Sequence, residues 1–509
     1  MSRTMSDTNT DDIYNNPRED IVLDGDDGGA SIDDTMNLVV DSDSSSVSSQ
    51  HDTTTTNSRQ DVLSKFIRID GNVYDITNFK HPGGNIINLV GNEDTTDRFN
   101  EYHFRSKKAR GVLQSLPHVT EDEHNSRNFG QDDYQLPPAL TPREQEMTND
   151  FRDMREKLIN NGCFDADYMH VYFRLMEIVF YFGLGTFLAP HNMYASMLAF
   201  IVFKTRCGWV EHEAGHNSLT GFPKIDRLIQ TVTMGIGSGL STTLWNTMHN
   251  KHHAWPQRIK HDIDLDTTPF VAMFKTAFEE NKHGKLAYQY KNRWWLRFQA
   301  WLFVPVINGV IVHLGWTYYI HPKKVLQNGF GLHTTNWIEL ISMSGYHAAI
   351  PFVFWYYGGY SIISAYLMLM VCKMFTFMYM MGHFSLSHTT TGVTSENKTL
   401  LWFEYAIRHS VNISTKSAWI SWVMGYLNFQ IEHHLFPSMP QYKNAMAAPY
   451  VRAFCEKWNA PGDYDLQYKE LNYFDAWWQM FTNLNEVGKH YFNNGNDTTG
   501  NDNKKIKSE

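Results

Sequence analysis

Long apolar runs separated by short polar turns fill the middle of this 509-residue chain. A membrane-spanning helix needs about 20 mostly apolar residues. The runs that approach this length are 171–190, 193–210, 300–319, 338–357 and 361–382. Because only Pro190, His191 and Asn192 separate the first two runs, these predict a helical hairpin.

Histidine-rich polar clusters follow several of these runs, and their positions limit the topology. Clusters that meet at one site must lie on one side of the membrane, so an even number of crossings separates His253 from His388. Three runs lie between them, and we expect the run 300–319, which contains Pro305 and Asn308, to lie in the interface. The pattern therefore predicts about four transmembrane helices.

The polar ends and a small N-terminal region complete the domain plan. We expect 1–60, rich in Asp, Ser and Thr, to be a disordered acidic tail, because it buries too little apolar area. Turn signals within 61–118 predict a small domain, and the polar stretch 119–142 is predicted to be a linker. The apolar runs belong to a domain over 143–484, and a polar tail is expected over 485–509.

Composition and charge exclude some classes of function. The chain carries 54 Asp and Glu residues against 44 Lys and Arg residues and has no basic patch, so we expect no nucleic-acid partner. Its four cysteines are widely spaced and form no C-x-x-C pair. That spacing favours a reducing, cytosol-facing environment over a disulfide scaffold.

Three histidine clusters carry the strongest chemical signal. They are His212-Glu-Ala-Gly-His216, His249-Asn-Lys-His252-His253 and Gln430-Ile-Glu-His433-His434. Spacings of three and four residues put side chains on one face of a helix. Neutral imidazole binds iron, zinc and copper alike, so the clusters predict a site for two metal ions without choosing the metal.

Another histidine motif lies in the small N-terminal region. His81 precedes Pro82-Gly83-Gly84, and His103 follows the aromatic stretch 99–102. One histidine on each face of a haem would give an electron-transfer centre whose potential the two axial ligands tune. The motif therefore predicts His81 and His103 as haem ligands, with His118 as the competing choice for the second.

With these residues, the chain resembles the cytochrome b5-fusion front-end fatty-acid desaturases. The shared stretches are the histidine clusters, the fused haem motif, 206–209, 261–266 and 428–437. Glutamine at position 430, where other membrane desaturases generally have histidine, is a marker of this family. The resemblance covers roughly residues 65 to 470. It implies an α+β cytochrome b5-like haem domain fused to an all-α membrane desaturase domain with a cytosolic helical cap.

The resemblance also implies the cofactors, namely haem b in the small domain and two non-haem iron ions in the large one. Its iron ligands, carried over by position, include His388 and Gln430, the latter ligating weakly or through water. The other implied ligands are His212, His216, His249, His252, His253, His433 and His434. Metal-bound histidines usually donate their other N–H to a carboxylate or carbonyl. The candidates for such support are Glu213, Asn246, Asp262, Asp264, Asp266 and Glu432.

The implied reaction is O2-dependent insertion of a cis double bond between an existing double bond and the carboxyl end of a polyunsaturated fatty acyl chain. The implied partners are a fatty acyl-CoA or acyl phospholipid, O2, the lipid bilayer and NADH-cytochrome b5 reductase. Similarity over 206–216 and 249–266 favours the delta-6 position, with delta-5, delta-8 and delta-4 as alternatives.

We expect a multi-pass protein of the endoplasmic reticulum, with the N-terminus, histidine clusters and C-terminus in the cytosol. Lys505 and Lys507 near the end of the chain resemble a dilysine retrieval signal. Other functions stay open at this level. A sphingolipid long-chain-base desaturase shares the fusion and the glutamine, and a hydroxylase would use the same oxidant. A chain with a decayed iron site would be only a membrane-bound cytochrome b5 electron carrier.

Overall fold

A computed structural model gives the fold of most of the chain. It describes residues 66–81, 87, 90, 93–120, 140–259, 261–262, 270–275, 294–327, 334–395, 398–460 and 464–497. The predicted disordered tail at 1–60, most of the predicted linker and the last residues of the polar tail lie outside the described residues. The proposed domain limits at those places therefore stay predictions.

The small domain is built on a three-stranded antiparallel sheet in the order β1 (Phe66–Ile69), β2 (Asn72–Asp75) and β3 (His118–Thr120). Asp70 and Gly71 join β1 to β2 with φ angles of 48° and 76°. Two consecutive left-handed residues make the tight turn that matches the twist of a hairpin, and Asp-Gly is a favoured pair for it. The turn predicted at these positions is therefore present.

Two helices complete the described part of this domain, α1 (Thr96–Tyr102) and α2 (Lys107–Ser115). The Ser106 side chain accepts a hydrogen bond from the Ala109 N–H at 3.1 Å and so caps the start of α2. Ile67, Ile69 and Tyr74 are buried beneath the helices as a separate core. The domain is thus mixed α and β, as the resemblance implies.

In the described residues, the large domain is helical apart from a short parallel pair, β4 (Asn412–Ile413) and β5 (Glu470–Leu471). Its helices in chain order are α3 (Pro142–Asn160), α4 (Tyr168–Leu188), α5 (Met193–Gly215), α6 (Pro223–Ser238), α7 (Thr242–Ala254), α8 (Trp294–Leu326), α9 (Thr334–Tyr356), α10 (Ile362–Leu386), α11 (Trp402–Arg408), α12 (Ala418–Val423), α13 (Gln430–Leu435), α14 (Asn444–Trp458) and α15 (Tyr473–Asp497).

Helices α4 and α5 form the hairpin predicted from the first two apolar runs. The Asn192 side chain accepts from the Ala195 N–H at 3.0 Å and starts α5. The Ser196 hydroxyl donates to the Gly185 carbonyl at 2.7 Å across the hairpin. A side chain at Gly185 would meet the Phe200 ring at 2.9 Å, so only glycine allows this close approach.

Three described helices, α4, α8 and α10, are long and apolar enough to cross a membrane. Their outer faces carry bare apolar side chains, since Phe187 is 67% exposed and Ile363 is 72% exposed. Contiguous exposed apolar surface of this kind is typical of contact with lipid. The run 300–319, expected to be interfacial, lies within α8, which has π-helical turns over Phe303–Val312, around Pro305. The total of four spans stays a prediction.

A second layer of helices covers one end of the membrane helices. Its core packs α3 against α11, α13 and α14, with Phe151 stacked on Phe436 at 5.8 Å between ring centroids. Phe403 packs against the same Phe151 ring at 5.4 Å. All three rings are buried, so this helical cap holds the third histidine cluster on a rigid support.

Candidate metal centre

The first histidine cluster lies where α5 ends. His212 sits in the last turn of the helix, and His216 is the residue that ends it. The two rings are buried, with centroids 5.0 Å apart, as expected for residues four apart on one helical face.

The second cluster lies on α7, which starts at a dense cap. The Ser241 side chain accepts from the Leu244 N–H at 3.3 Å. One oxygen of Glu339, from α9, accepts from the Ser241 hydroxyl at 2.8 Å, the Thr242 hydroxyl at 2.7 Å and the Thr243 N–H at 2.9 Å. A carboxylate at a helix N-terminus is stabilising, because the unpaired N–H groups there carry partial positive charge. The cap therefore fixes the direction of the helix that carries His249, His252 and His253.

The third cluster lies on the short helix α13, and His388 follows the end of α10. The Asn412 side chain accepts from the Ile431 N–H at 2.9 Å and donates to Glu432 at 2.8 Å. Tyr468 donates to the same carboxylate at 2.7 Å. Because six residues make a marginal helix alone, these bonds and the cap core set its orientation.

The structure brings all eight predicted histidines together in two groups, each with ligand atoms within 4.8 Å of one another. The first group is His212, His216, His249, His253 and His433, and the second is His252, His388 and His434.

Within the first group, the Nε2 atoms face one another at short range. His249 Nε2 lies 3.0 Å from His216 Nε2 and 3.1 Å from His253 Nε2, and His433 Nε2 lies 3.1 Å from His253 Nε2. Ligands at right angles around a metal with bonds of about 2.1 Å are about 3 Å apart. The nitrogens are therefore spaced as ligands of one cation.

The second group contains fewer histidines and takes in the glutamine. His434 Nε2 lies 3.3 Å from His388 Nε2, and the Gln430 amide lies 3.1 Å from the same atom. An amide oxygen and nitrogen exchange places when the group is turned over, so the Gln430 oxygen can face this group. Gln430 therefore lies beside the three histidines of the second group.

The protonation of the rings suits metal binding. Burial, reinforced by neighbouring histidines, holds the pKa of His253, His433 and His434 well below the ordinary histidine value. Burial also lowers the pKa of His388 to about 3. A metal binds only the neutral imidazole, so no proton has to be removed from these rings at neutral pH.

Outer contacts orient several of these rings. His252 Nδ1 lies 3.0 Å from Asp262, one of the carboxylates picked out in the sequence. His388 Nδ1 donates to the His409 carbonyl at 2.8 Å, and His212 Nδ1 lies 2.5 Å from the Gln441 amide. Sequence reasoning missed the last two partners. A backbone carbonyl has no sequence signature, and Gln441 lies outside the clusters.

The other described carboxylates and amides picked out in the sequence form hydrogen bonds with groups other than the clustered histidines. Glu213 accepts from the Gln441 N–H at 3.1 Å, so it steadies the residue that contacts His212. Asn246 exchanges hydrogen bonds with Gln230 at 2.7 and 3.2 Å. Glu432 supports α13, and Asp264 and Asp266 lie outside the described residues.

The small domain brings the His81 and His103 rings together, with centroids 5.9 Å apart and the ring planes inclined at 62°. Burial lowers the pKa of His103 to about 4 and lowers that of His81 as well. His118 instead lies on β3, beside the Tyr74 ring at 5.2 Å. Two neutral imidazoles this close together would be able to hold a haem iron between them. Pro82-Gly83-Gly84 lies outside the described residues.

Comparison with known families identifies both domains. The profile of the fatty acid desaturase family matches residues 188–463, which is more than half of the chain. The chain belongs to the fatty acid desaturase family. The profile of the cytochrome b5-like heme/steroid binding domain matches residues 48–123, so this desaturase carries a fused cytochrome b5-like domain. The resemblance stated from the histidine motifs is confirmed.

Individual relatives support the same assignment over nearly the whole chain. The desaturase is 36% identical over 439 residues to an acyl-lipid (8-3)-desaturase from Thraustochytrium sp, covering 83% of this chain and 92% of the relative. It is also 36% identical to an acyl-lipid (8-3)-desaturase from Rebecca salina, covering 83% and 91%. Bovine fatty acid desaturase 3 is 26% identical, covering 77% and 84%.

These matches make the protein a membrane-associated oxidoreductase of fatty acid metabolism. The family implies iron, with which the histidine groups are compatible, and the cytochrome b5-like domain implies haem. The predicted enzyme class and fold class are confirmed.

Proposed function

We propose that the protein is a front-end desaturase whose eight grouped histidines hold two iron ions. The observation that carries the proposal is the pair of histidine groups beside a fused haem domain, with Gln430 at the edge of the smaller group. The five-histidine group would hold one iron. The three-histidine group, with Gln430 as a weaker donor, would hold the other.

The bound iron pair would supply O2 activation for removal of hydrogen from two adjacent methylenes. The overall reaction takes up one O2, two electrons and two protons, and it yields one cis double bond and two waters. The chain's own residues shield the site, since the Trp245 ring stacks on His249 at 4.2 Å and Phe384 packs on His212 at 5.7 Å. Aromatic walls exclude water and keep the oxidant beside the acyl chain.

Electrons would enter through His81 and His103 of the haem domain, one at a time. The donor would be NADH-cytochrome b5 reductase, and covalent fusion gives the haem domain a high effective concentration at the iron site. We also propose an endoplasmic-reticulum location with the histidine groups, N-terminus and C-terminus in the cytosol. The dilysine-like end at Lys505 and Lys507 supports this location and lies outside the described residues.

The substrate is proposed to be a polyunsaturated acyl chain carried by a lipid. The name acyl-lipid desaturase of two relatives supports that carrier over an acyl-CoA. Similarity around the first two histidine clusters favours insertion at delta-6, and delta-5, delta-8 and delta-4 are the alternatives.

The test is gas chromatography–mass spectrometry of yeast that expresses the chain and receives one defined unsaturated acid at a time. We expect a new double bond on the carboxyl side of an existing one, at a position located by derivatisation. The matched control is His252→Ala, which should keep the haem spectrum and give no product. A new bond confined to ceramide bases would favour the sphingolipid enzyme. Haem iron without other iron would favour the electron carrier.

A further inference from the structure

The haem domain docks on the desaturase domain through helix α1. The Tyr102 hydroxyl donates to the Asn250 carbonyl at 2.8 Å, and Arg98 Nε donates to the Ala254 carbonyl at 3.2 Å. Both carbonyls belong to α7, the helix that carries the second histidine cluster. Helix α1 therefore touches an iron-site helix directly, rather than reaching it through a third element.

Buried charges hold this contact in one pose. Glu93 pairs with Arg98 of its own domain at 2.9 Å and with Arg258 of the desaturase domain at 3.1 Å. These three side chains are at most 11% exposed. Arg98 also lies over the Trp255 ring at 5.3 Å. Breaking a buried pair leaves an uncompensated charge in the interior, so the interface resists sliding.

Further bonds tie the same helix to the cap. The Ser438 hydroxyl donates to the Glu101 carbonyl at 2.7 Å, and the Glu101 carboxylate pairs with Arg155 of α3. Arg152 of α3 pairs with Asp97 at 2.8 Å. Helix α1 is thus held along its whole length, and the tethered domain has a defined docked position.

We propose that the Tyr102–Asn250 hydrogen bond is the electronic connection through which the haem domain reduces the iron site. Tyr102 is covalently bonded to His103, and Asn250 is covalently bonded to His249. A single hydrogen bond therefore joins a proposed haem ligand to a proposed iron ligand through one tyrosine and the backbone of Asn250. This inference rests on the proposed function, because it assigns haem to His103 and iron to His249.

The step moves one electron and breaks no covalent bond. With both groups bound, one electron would pass from ferrous haem iron to one ferric iron of the pair, and the Tyr102 proton would stay in its hydrogen bond. A flavoprotein reductase restores the ferrous haem. The other contact, from Arg98 to Ala254, is a longer route, since Arg98 precedes His103 by more than one helical turn.

The experiment follows internal electron transfer in full-length protein loaded with haem and iron, without substrate or O2. A laser flash with a photoreductant reduces the haem, and the decay of ferrous haem absorbance reports electron transfer to the iron site. Tyr102→Phe removes only the hydroxyl and keeps the ring. Ser438→Ala is the matched control, because it removes one hydroxyl that donates to a backbone carbonyl in the same interface. Hydrogen exchange of α1 checks that both variants stay docked.

We expect the ferrous haem of Tyr102→Phe to decay several-fold more slowly than wild type, with an unchanged haem spectrum and potential, while Ser438→Ala decays at the wild-type rate. If the ferrous haem of Tyr102→Phe decayed at the wild-type rate, the proposed electronic connection would be wrong, and the proposed function would be unaffected. Equally slowed haem decay in both variants would also overturn it, because the rate would then depend only on how tightly the two domains dock. No decay in iron-loaded wild type would overturn the proposed function itself.

Discussion

His252 directs its Nδ1 at both oxygens of the Asp262 carboxylate, at 3.1 Å and 3.0 Å. The Gln257 N–H donates to the same carboxylate at 2.6 Å, and Gln257 has a left-handed φ of 60°. Gln257 thus adopts a strained backbone conformation in which its N–H holds Asp262 in place. With Nδ1 engaged, His252 presents Nε2 to the three-histidine group, and the carboxylate makes that nitrogen a better ligand.

The first prediction concerns this carboxylate. Asp262→Asn keeps the shape of the side chain but removes its charge and one acceptor, so His252 loses its fixed orientation. We expect iron affinity of the smaller group to fall about 10–100-fold. Metal analysis of purified protein dialysed against graded chelator would measure the loss.

A buried carboxylate that touches no histidine is the matched control. Asp226 accepts from the Thr220 N–H at 2.9 Å and from the Thr220 hydroxyl at 2.5 Å. Asp226→Asn should therefore leave the iron content unchanged. Equal iron loss in both variants would mean that Asp262 acts only through general stability.

The second prediction concerns Gln441, which contacts His212 Nδ1 at 2.5 Å. The Gln441 atom at this distance is the amide nitrogen, and turning the amide over puts the side-chain oxygen there instead. Iron on Nε2 would leave the proton on Nδ1, which would then donate to that oxygen. Gln441→Leu removes that acceptor, and we expect about 10–100-fold weaker iron binding in the larger group. Gln441→Glu keeps an acceptor oxygen and should restore binding. Chelator competition would measure the iron affinity of both variants. Iron retained by the leucine variant would contradict the role of Gln441 as the partner of His212.

The grouping of the histidines was largely predictable, because they recur at helical spacings. Residues three or four apart share a face whatever the rest of the fold does, so His249, His252 and His253 were readable from sequence alone. Their partners were only partly readable. Asp262 stands near its histidine in the chain, whereas Gln441 and the His409 carbonyl reach the site only through tertiary packing.

The domain contact was not predictable from the sequence. A polar linker over 119–142 indicated a tethered haem domain but no docked position. The docked position depends on Arg98, Glu93 and Arg258, and a lone charged residue in a sequence is ordinarily solvated. Only the folded chain shows that these charges are buried and paired across the interface.

The third prediction concerns the cap of α7. Glu339→Gln keeps one oxygen, which can still accept from Ser241 and Thr242, but it puts an amide nitrogen, which cannot accept, at the oxygen that the Thr243 hydroxyl contacts at 3.3 Å. It also removes the negative charge at the helix N-terminus, a contribution of up to about 2 kcal/mol when partly buried. We expect Tm in detergent to fall by a few degrees and iron binding to weaken at the second cluster.

An exposed carboxylate provides the comparison for Glu339. Glu486 has a 61% exposed side chain and pairs loosely with Lys275 at 3.7 Å, so Glu486→Gln should leave Tm unchanged. Differential scanning fluorimetry of both variants, with and without added iron, measures the difference. An unchanged Tm for Glu339→Gln would show that Glu339 does not stabilise the start of α7.

The last prediction separates the candidate haem ligands. The rings of His81 and His103 lie 5.9 Å apart between centroids, while His118 is an exposed strand residue whose Nδ1 lies 3.0 Å from the Leu116 carbonyl. His81→Ala and His103→Ala should each lose the low-spin haem spectrum, because each removes one axial ligand. His118→Ala should keep it. Both haem-deficient variants should also lose desaturation in yeast unless free cytochrome b5 supplies the electrons, which deletion of the host cytochrome b5 would reveal. A low-spin spectrum in His103→Ala, together with its loss in His118→Ala, would move the second ligand to β3, and Tyr102 would then no longer be the neighbour of a haem ligand.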